Sequence, residues 1–286
     1  MPSRKQPFFS IVIPCLNEEK VLPHLLSDLA DQTTHDFEVI VVDGHSEDQT
    51  INNALQWKEK LPSLRIIDSD IRNVSVQRNL GGKNARGQYI LWNDADNRLP
   101  SYYLEGLRYQ LRVKPVDVFT VWCDADTDKS SDKAIATYFN LLIETSYLVG
   151  NPSAFGSMIG CRASIFPQTG GFNPQVGFAE DTDFVRQTFK KGLSFTVFHE
   201  PRYAYSLRRF RKMGLLHTVQ KAAYLYLKFL TKKKIDQKKE YPMGGELFSD
   251  LQTTQLFKQV DRSFKKMLKK PKILDKIAAL LSLEER

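Results

Sequence analysis

Short apolar, β-branched runs alternate with longer segments of helical spacing, and this alternation constrains the fold more than any other feature. Five runs are typical of strands that are buried on both faces: residues 8–14, 37–42, 64–67, 88–93 and 116–123. Between them, apolar residues recur at helical spacing in residues 17–31, 48–60, 75–86 and 100–113. The alternation predicts right-handed crossovers and an α/β fold, with a mostly parallel sheet flanked by helices.

The chain after residue 123 has a less regular pattern. Residues 124–132 are acidic and polar, which predicts a surface loop. Residues 134–149 and 180–191 have helical spacing, and residues 193–198 predict a further strand.

The net charge of +8 belongs to the last third of the chain. Residues 1–200 carry 20 basic and 25 acidic side chains, whereas residues 201–286 carry 21 and 8. Leu, Phe and Tyr at helical spacing among these Lys and Arg residues predict a basic helical extension. Its helices either pack on the rest of the chain or lie on an anionic membrane surface. No nucleic-acid-binding motif is present.

Cysteine usage and the amino terminus favour a cytoplasmic protein. Cys15, Cys123 and Cys161 are far apart and form no C-x-x-C pair, which favours reduced, buried thiols. The first six residues are polar and lack the apolar segment of a signal peptide. No stretch reaches ~18 apolar residues without a charge. Peripheral attachment to the inner face of a membrane remains an option.

Acidic side chains follow two of the predicted strands. Asp94 and Asp96 come directly after residues 88–93, at the end of a strand where open α/β sheets bind ligands. Two hard oxygen ligands suit Mg²⁺ or Mn²⁺ held together with a diphosphate. Asp43 ends the second strand and could accept hydrogen bonds from a base N–H or a ribose hydroxyl. His199 follows the last strand and is a candidate third metal ligand.

An ordered set of motifs then resembles the family 2 glycosyltransferases of the GT-A fold. The motifs are I-V-I-P-x-x-N-E, V-V-D-G-x-S-x-D-x-T, R-N-x-G-x-x-x-A-x-G, D-x-D, G-G-F and E-D-x-D, spread over roughly residues 8–210. The resemblance implies a Rossmann-like nucleotide-diphospho-sugar transferase fold. It also implies transfer of a sugar from a nucleotide-sugar, usually with inversion at the anomeric carbon. The first βα turn has no G-x-G-x-x-G, which disfavours a dinucleotide-binding domain.

The resemblance assigns donor-binding roles to five positions. Pro14, Asn17 and Glu18 match the motif that lines the nucleotide pocket. Asp43 matches the acid that contacts the base, and Arg78 lies where a basic residue often contacts the nucleotide.

Metal and catalytic roles follow from the later motifs. Asp96 matches the acid that usually contacts the metal, and Asp94 the acid that leans toward the ribose but can also bind the metal. Glu180 and Asp181 match the acidic pair near the acceptor, and Asp181 is the candidate catalytic base.

A later Ser-x-Arg-Arg segment also resembles related enzymes. Arg208 and Arg209 could clamp the diphosphate by bidentate hydrogen bonds, or they could simply lie on a solvated surface. His45 stands where the family commonly has Gly. The Q-x-x-R-W segment of processive synthases is missing, which favours transfer of a single sugar.

We therefore expect a GT-A domain in residues 1–210, with a nucleotide-sugar-binding part (1–123) and an acceptor-binding part (124–210), followed by the basic extension 211–286. The expected reaction is metal-dependent and inverting, with a saccharide or lipid-linked acceptor in cell-envelope glycan synthesis. Three alternatives stay open: a polyprenyl-phosphate glycosyltransferase, a sugar nucleotidyltransferase, and a non-catalytic membrane-associated scaffold. The nucleotidyltransferase is disfavoured because its usual Gly-rich first loop is absent.

Overall fold

The computed structural model describes residues 6–155 and 157–213. Its strands are β1 (Phe9–Cys15), β2 (Phe37–Asp43), β3 (Leu64–Asp68), β4 (Tyr89–Asn93), β5 (Val118–Ala125), β6 (Met158–Arg162) and β7 (Phe195–Tyr205). Its helices are α1 (Leu22–Ala30), α2 (Thr50–Leu55), α3 (Val74–Asn84), α4 (Tyr103–Val113), α5 (Ser130–Leu148), α6 (Phe166–Thr169), α7 (Glu180–Lys190) and α8 (Arg208–Met213).

These strands form one mixed sheet in the order β3-β2-β1-β4-β6-β5-β7. β6 runs antiparallel to both β4 and β5, and the other neighbouring strands pair in parallel. The predicted α/β class with a mostly parallel sheet is confirmed. The sequence of β6 mixes strand and turn signals, so no pattern predicted that this strand runs antiparallel.

The order of the strands creates a crevice between β1 and β4. The chain moves from β1 outward to β2 and β3, and then returns to the other side of β1 as β4. At such a switch point the flanking connections leave in opposite directions, which opens a ligand crevice at the carboxyl ends of the strands. The acidic residues after β2 and β4 lie at this edge.

Apolar residues on both faces of the sheet anchor these strands. Ile11 and Ile13 of β1 belong to a core cluster with α1 and α4, and Val12 belongs to the opposite cluster with Trp92. Trp92 packs edge-on against Phe172 and Phe184, with ring centroids 5.0 and 5.6 Å away. Burial on both faces explains why the strands appear in the sequence as continuous apolar runs.

Several element bounds differ from the sequence prediction. α1 begins at Leu22 rather than at residue 17, because Pro23 lies in its first turn, where a missing N–H leaves no bond unmade. α2 ends at Leu55, because the next turns use hydrogen bonds to the residue three positions earlier. An example is the bond from the Lys58 N–H to the Leu55 carbonyl. The predicted loop 124–132 is shorter, because β5 extends into it and α5 begins at Ser130.

The predicted basic helices of the extension lie outside the described residues, which end with the short helix α8. No helix within residues 6–155 and 157–213 combines the length and apolar character that a membrane crossing requires.

Candidate active site

The strand register brings the predicted donor residues to one edge of the sheet. Cys15, which follows Pro14 at the end of β1, pairs with Asp43 of β2, and Asp43 pairs with Asp68 of β3. Val12 pairs with Trp92, so Asp94 emerges from β4 close to the level of Pro14. The carboxyl ends of β1, β2 and β4 therefore share one crevice.

The first βα turn and the loop after β2 are bonded to each other. Asn17 has a positive φ of 55°, its N–H donates to Ser46 Oγ at 2.9 Å, and its Oδ1 accepts from Glu47 N at 2.8 Å. Asp43 accepts from the N–H and the hydroxyl of Ser46 at 2.9 and 2.5 Å. Asp43 thus orders its own loop, and it also lines the open cleft beside it. The two loops form one rigid wall of the crevice.

Arg78 joins the acids on the two sides of the crevice. It is 2% exposed and donates to Glu180 Oε1 at 2.7 Å and to Asp94 Oδ1 at 3.2 Å. Burial alone would lower its pKa, but the surrounding carboxylates, Glu180 foremost, raise it above the usual value. The Trp92 indole N–H donates to the Arg78 carbonyl at 2.9 Å and fixes this turn of α3 on β4.

Asn79, the next residue of α3, binds the segment that follows α6. Its side-chain amide donates to the Phe172 carbonyl at 2.7 Å and accepts from the Phe172 N–H at 2.8 Å. Gly171 has φ +72°, and a Cβ there would lie 2.5 Å from Asn79 Oδ1. The R-N and G-G-F motifs, far apart in sequence, are therefore two halves of one contact.

Buried amides hold the acidic triplet in place. The Asp94 N–H donates to the Ser157 carbonyl at 3.1 Å, and the Asn97 side chain donates to the same carbonyl at 2.6 Å. Burial raises the pKa of Asp94 to about 6, although the Arg78 guanidinium opposes this shift. The carboxylate is thus fixed in the crevice, and a further positive charge nearby would stabilise its ionised form.

Arg208 ties the first βα turn to the acidic triplet. It donates to both oxygens of Glu18 at 2.8 and 2.7 Å, and its Nε lies 2.8 Å from Asp96 Oδ2. β7 carries it there, because Ala204 pairs with Arg98 just after the triplet. Burial raises the pKa of Glu18 to about 7 despite the arginine. Arg209 follows on the same short helix.

Glu180 and Asp181 begin α7, after Ala179 at φ 58°. Glu180 is buried and bonded to Arg78, so its carboxylate is committed to that ion pair. Asp181 is half-buried and accepts from the Thr182 N–H at 2.6 Å. Its charge adds to that of Glu180 in raising the pKa of Arg78.

The structure does not bring His199 to the acidic triplet. Its ring stacks on Trp122 with centroids 4.0 Å apart, and its Nε2 lies 3.3 Å from Glu144. β7 stands three strands from β4, about 14 Å at ordinary strand spacing. In the described part of the chain, no group of three or more His, Cys, Asp or Glu side chains is arranged to bind a metal. The prediction of His199 as a third ligand has no geometric support.

Sequence reasoning missed the contacts that shape the crevice. Asn79 lies within a quoted motif, but its partner Phe172 is 93 residues away. Arg72, which donates to the His45 carbonyl at 2.9 Å, belongs to no motif. The motif that begins at Val41, and the departure from it at His45, pointed to that loop but not to its contact with Arg72.

With this geometry established, comparison with known proteins identifies the family. Glycosyl transferase family 2 matches residues 10–170, more than half of the chain. The chain belongs to this family. A PGL/p-HBAD biosynthesis glycosyltransferase of Mycobacterium bovis is 40% identical over 94 residues, which cover 32% of this chain and 37% of that protein. The chain thus spans just over a third of the length of the curated mycobacterial relatives that it matches.

Two solved structures share the fold. S. aureus TarS 1-349 in complex with UDP-GlcNAc has a TM-score of 0.59 at 20% identity, covering 81% of this chain and 69% of that one. The mannosyltransferase PcManGT from Pyrobaculum calidifontis, in complex with GDP-Man and Mn²⁺, has a TM-score of 0.61 at 18% identity, covering 99% and 89%. The expected GT-A fold is confirmed.

Removal of the Arg78 side chain is expected to destabilise the protein. Arg78→Ala leaves Glu180 buried without its cation, so we expect a loss of about 3–5 kcal/mol in the free energy of unfolding by urea. Lys133→Ala is the control, because its ion pair with Asp128 is exposed and should contribute less than about 1 kcal/mol. Equal effects of the two substitutions would contradict a central role for Arg78.

The raised pKa of Glu18 gives stability a pH dependence. Its contribution to the unfolding free energy is complete below 4.5, the pKa of Glu18 in the unfolded chain. The contribution is lost as the pH rises through about 7, the pKa of Glu18 in the folded protein. We expect the unfolding free energy of the ligand-free natural protein to fall between pH 5 and 8. In Glu18→Gln this fall should be smaller by about 2 kcal/mol. Glu59→Gln, at an exposed position, should leave the slope unchanged. Parallel curves for Glu18→Gln and the natural protein would refute this assignment.

Proposed function

We propose that this protein transfers a single sugar from a nucleotide-sugar to a saccharide or lipid-linked acceptor, with inversion, in cell-envelope glycan synthesis. The observation that carries the proposal is the pair of ion contacts from Arg78, which joins Asp94 on the donor side to Glu180 beside the candidate base. A fold shared with proteins solved with UDP-GlcNAc and GDP-Man supports a nucleotide-sugar donor.

Asp181 is the proposed catalytic base. Its carboxylate takes the proton of the acceptor hydroxyl while that oxygen attacks the anomeric carbon. The bond to the diphosphate breaks on the opposite face, and the nucleoside diphosphate leaves with the electron pair. Glu180 positions this base, because its own carboxylate holds α7 to Arg78.

Two carboxylates of the crevice, Asp94 and Asp96, would hold a divalent cation together with the diphosphate of the donor, because the described side chains alone form no complete metal site. Glu18, Asp94, Asp96 and Glu180 supply four carboxylates, against which Arg78 and Arg208 supply two positive charges. Asp94 and Asp96 offer the hard oxygen donors that Mg²⁺ and Mn²⁺ prefer, and diphosphate oxygens would add to them. Such a cation, when bound, neutralises the negative charge that develops on the leaving diphosphate.

Arg208 is the proposed diphosphate clamp. Its guanidinium already lies between Glu18 and Asp96, at the point where the diphosphate would meet the acidic triplet. A planar guanidinium binds phosphate oxygens in pairs, which suits this task. Arg209 keeps the same proposed role on sequence grounds.

A lipid-linked acceptor at the inner face of a membrane is the part of the proposal that rests on the basic extension. Residues 214–286 lie outside the described residues, so membrane binding stays a prediction from their charge. A polyprenyl-phosphate acceptor is the alternative, and it is distinguished by chemistry, since a phosphate acceptor hardly needs a base.

Asp181→Asn should abolish turnover and preserve donor binding. We expect kcat to fall about 10²–10⁴-fold, the usual contribution of a general base, with an unchanged dissociation constant for the nucleotide-sugar. Asp31→Asn, the same change of charge at an exposed position outside the motifs, is the control and should stay within a few-fold of the natural rate. Near-normal turnover in Asp181→Asn would remove Asp181 from the base role and favour a phosphate acceptor.

Asp96→Ala should abolish the metal dependence of nucleotide binding. We expect Mn²⁺ to strengthen the binding of nucleoside diphosphates to the natural protein, and to have no effect on the variant, as measured by isothermal titration with and without EDTA. Asp124→Ala removes an acid that is 61% exposed and should retain the Mn²⁺ effect. Binding by Asp96→Ala that still responds to Mn²⁺ would exclude Asp96 as a ligand.

A further inference from the structure

An open cleft of about 500 Å³ adjoins the crevice at the ends of β2 and β3. Ile51 and Ile66 give it apolar walls, while Asp43 and Asp68 stand at its polar edge. A flat heteroaromatic ring has the complementary form, with apolar faces and a hydrogen-bonding rim. Asp43 is the acid that the family resemblance assigns to the base, so this cleft is where the base of the donor would bind.

His45 is held in the cleft wall in a conformation that side chains rarely adopt. Its φ is 62°, in the left-handed region that favours glycine. The Arg72 guanidinium fixes this backbone by donating to the His45 carbonyl at 2.9 Å, and Arg72 also pairs with Glu47. Strained positions that the surroundings maintain cluster at ligand-binding sites.

The Asp68 carboxylate lies beside the His45 ring. The carboxylate Oδ1 lies 3.4 Å from Nδ1 of the imidazole, and both side chains line the cleft. A carboxylate favours the proton on the nitrogen that faces it, which leaves Nε2 as a hydrogen-bond acceptor.

Acceptors therefore dominate the rim of the cleft. Asp43, Glu47 and Asp68 carry carboxylates, and the His45 imidazole lines the cleft beside them. Arg72 is the cation of this lining, and one of its nitrogens already donates to the His45 carbonyl and to Glu47. Such a rim matches a base edge that is rich in N–H donors.

We propose that the cleft selects guanine, and that His45 and Asp68 determine this selectivity. Guanine offers two adjacent donors, N1–H and the N2 amino group, to a carboxylate. Uracil offers a single N–H, which lies between two carbonyl oxygens. Those carbonyl oxygens would face the carboxylates of the cleft and be repelled by them. The inference rests on the proposed function, since it names the base of that donor. The likeness to solved proteins does not distinguish guanine from uracil, because one of them is bound to UDP-GlcNAc and another to GDP-Man.

The test compares the binding of GDP and UDP to the full chain in the presence of Mn²⁺ by isothermal titration. We expect GDP to bind about tenfold or more tightly than UDP, the value of one hydrogen bond to a charged group. Asp68→Asn should reduce this ratio about tenfold, and His45→Gly should reduce it as well. Asp70→Asn makes the same change of charge at an exposed position outside the cleft lining and should keep the ratio.

The outcomes separate the inference from the function beneath it. Binding of UDP as tight as that of GDP would overturn guanine selectivity and leave the glycosyltransferase proposal standing. A ratio that Asp68→Asn leaves unchanged, in a variant with the melting temperature of the natural protein, would overturn the role of Asp68 and His45. Failure of both nucleotides to bind would overturn the proposed function together with the inference.

Discussion

The buried guanidinium of Arg78 is the interaction on which the arrangement of the crevice depends. It bonds Asp94 at the end of β4 and Glu180 at the start of α7, and its own turn of α3 is bonded to Trp92. These elements are distant in sequence, and the Arg78 guanidinium holds them together. A buried charge is costly to leave unpaired, so the two acids must stay beside it. The next residue, Asn79, extends the same linkage to Phe172. One turn of α3 thereby sets the geometry of both halves of the site.

The same crevice holds more acid than its arginines balance. Arg208, the first residue of α8, compensates Glu18 and Asp96, yet burial still raises the pKa values of Glu18 and Asp94 to about 7 and about 6. A protein that concentrates partly buried carboxylates at one strand edge is suited to bind a cation there. The metal dependence that we propose follows from this imbalance rather than from the D-x-D spacing alone.

Local sequence predicted those features whose physical cause is local. The apolar runs specified β1, β2 and β4, and the acids at the ends of β2 and β4 mark the crevice, because buried parallel strands and their carboxyl ends follow from composition and order. Contacts across long sequence distances were beyond prediction. Arg208 meets Glu18 over 190 residues, and the antiparallel β6 separates β4 from β5 in a way that no periodicity shows. The distance of His199 from the acids has the same origin, since its strand lies three strands from β4.

The most direct test of this account is a crystal structure of the protein with GDP and Mn²⁺, with the metal located by anomalous scattering. We expect the diphosphate in the crevice between β1 and β4, Mn²⁺ within about 2.0–2.4 Å of the Asp96 carboxylate, and Arg78 still joining Asp94 to Glu180. A nucleotide bound elsewhere, or Mn²⁺ remote from both Asp94 and Asp96, would contradict it.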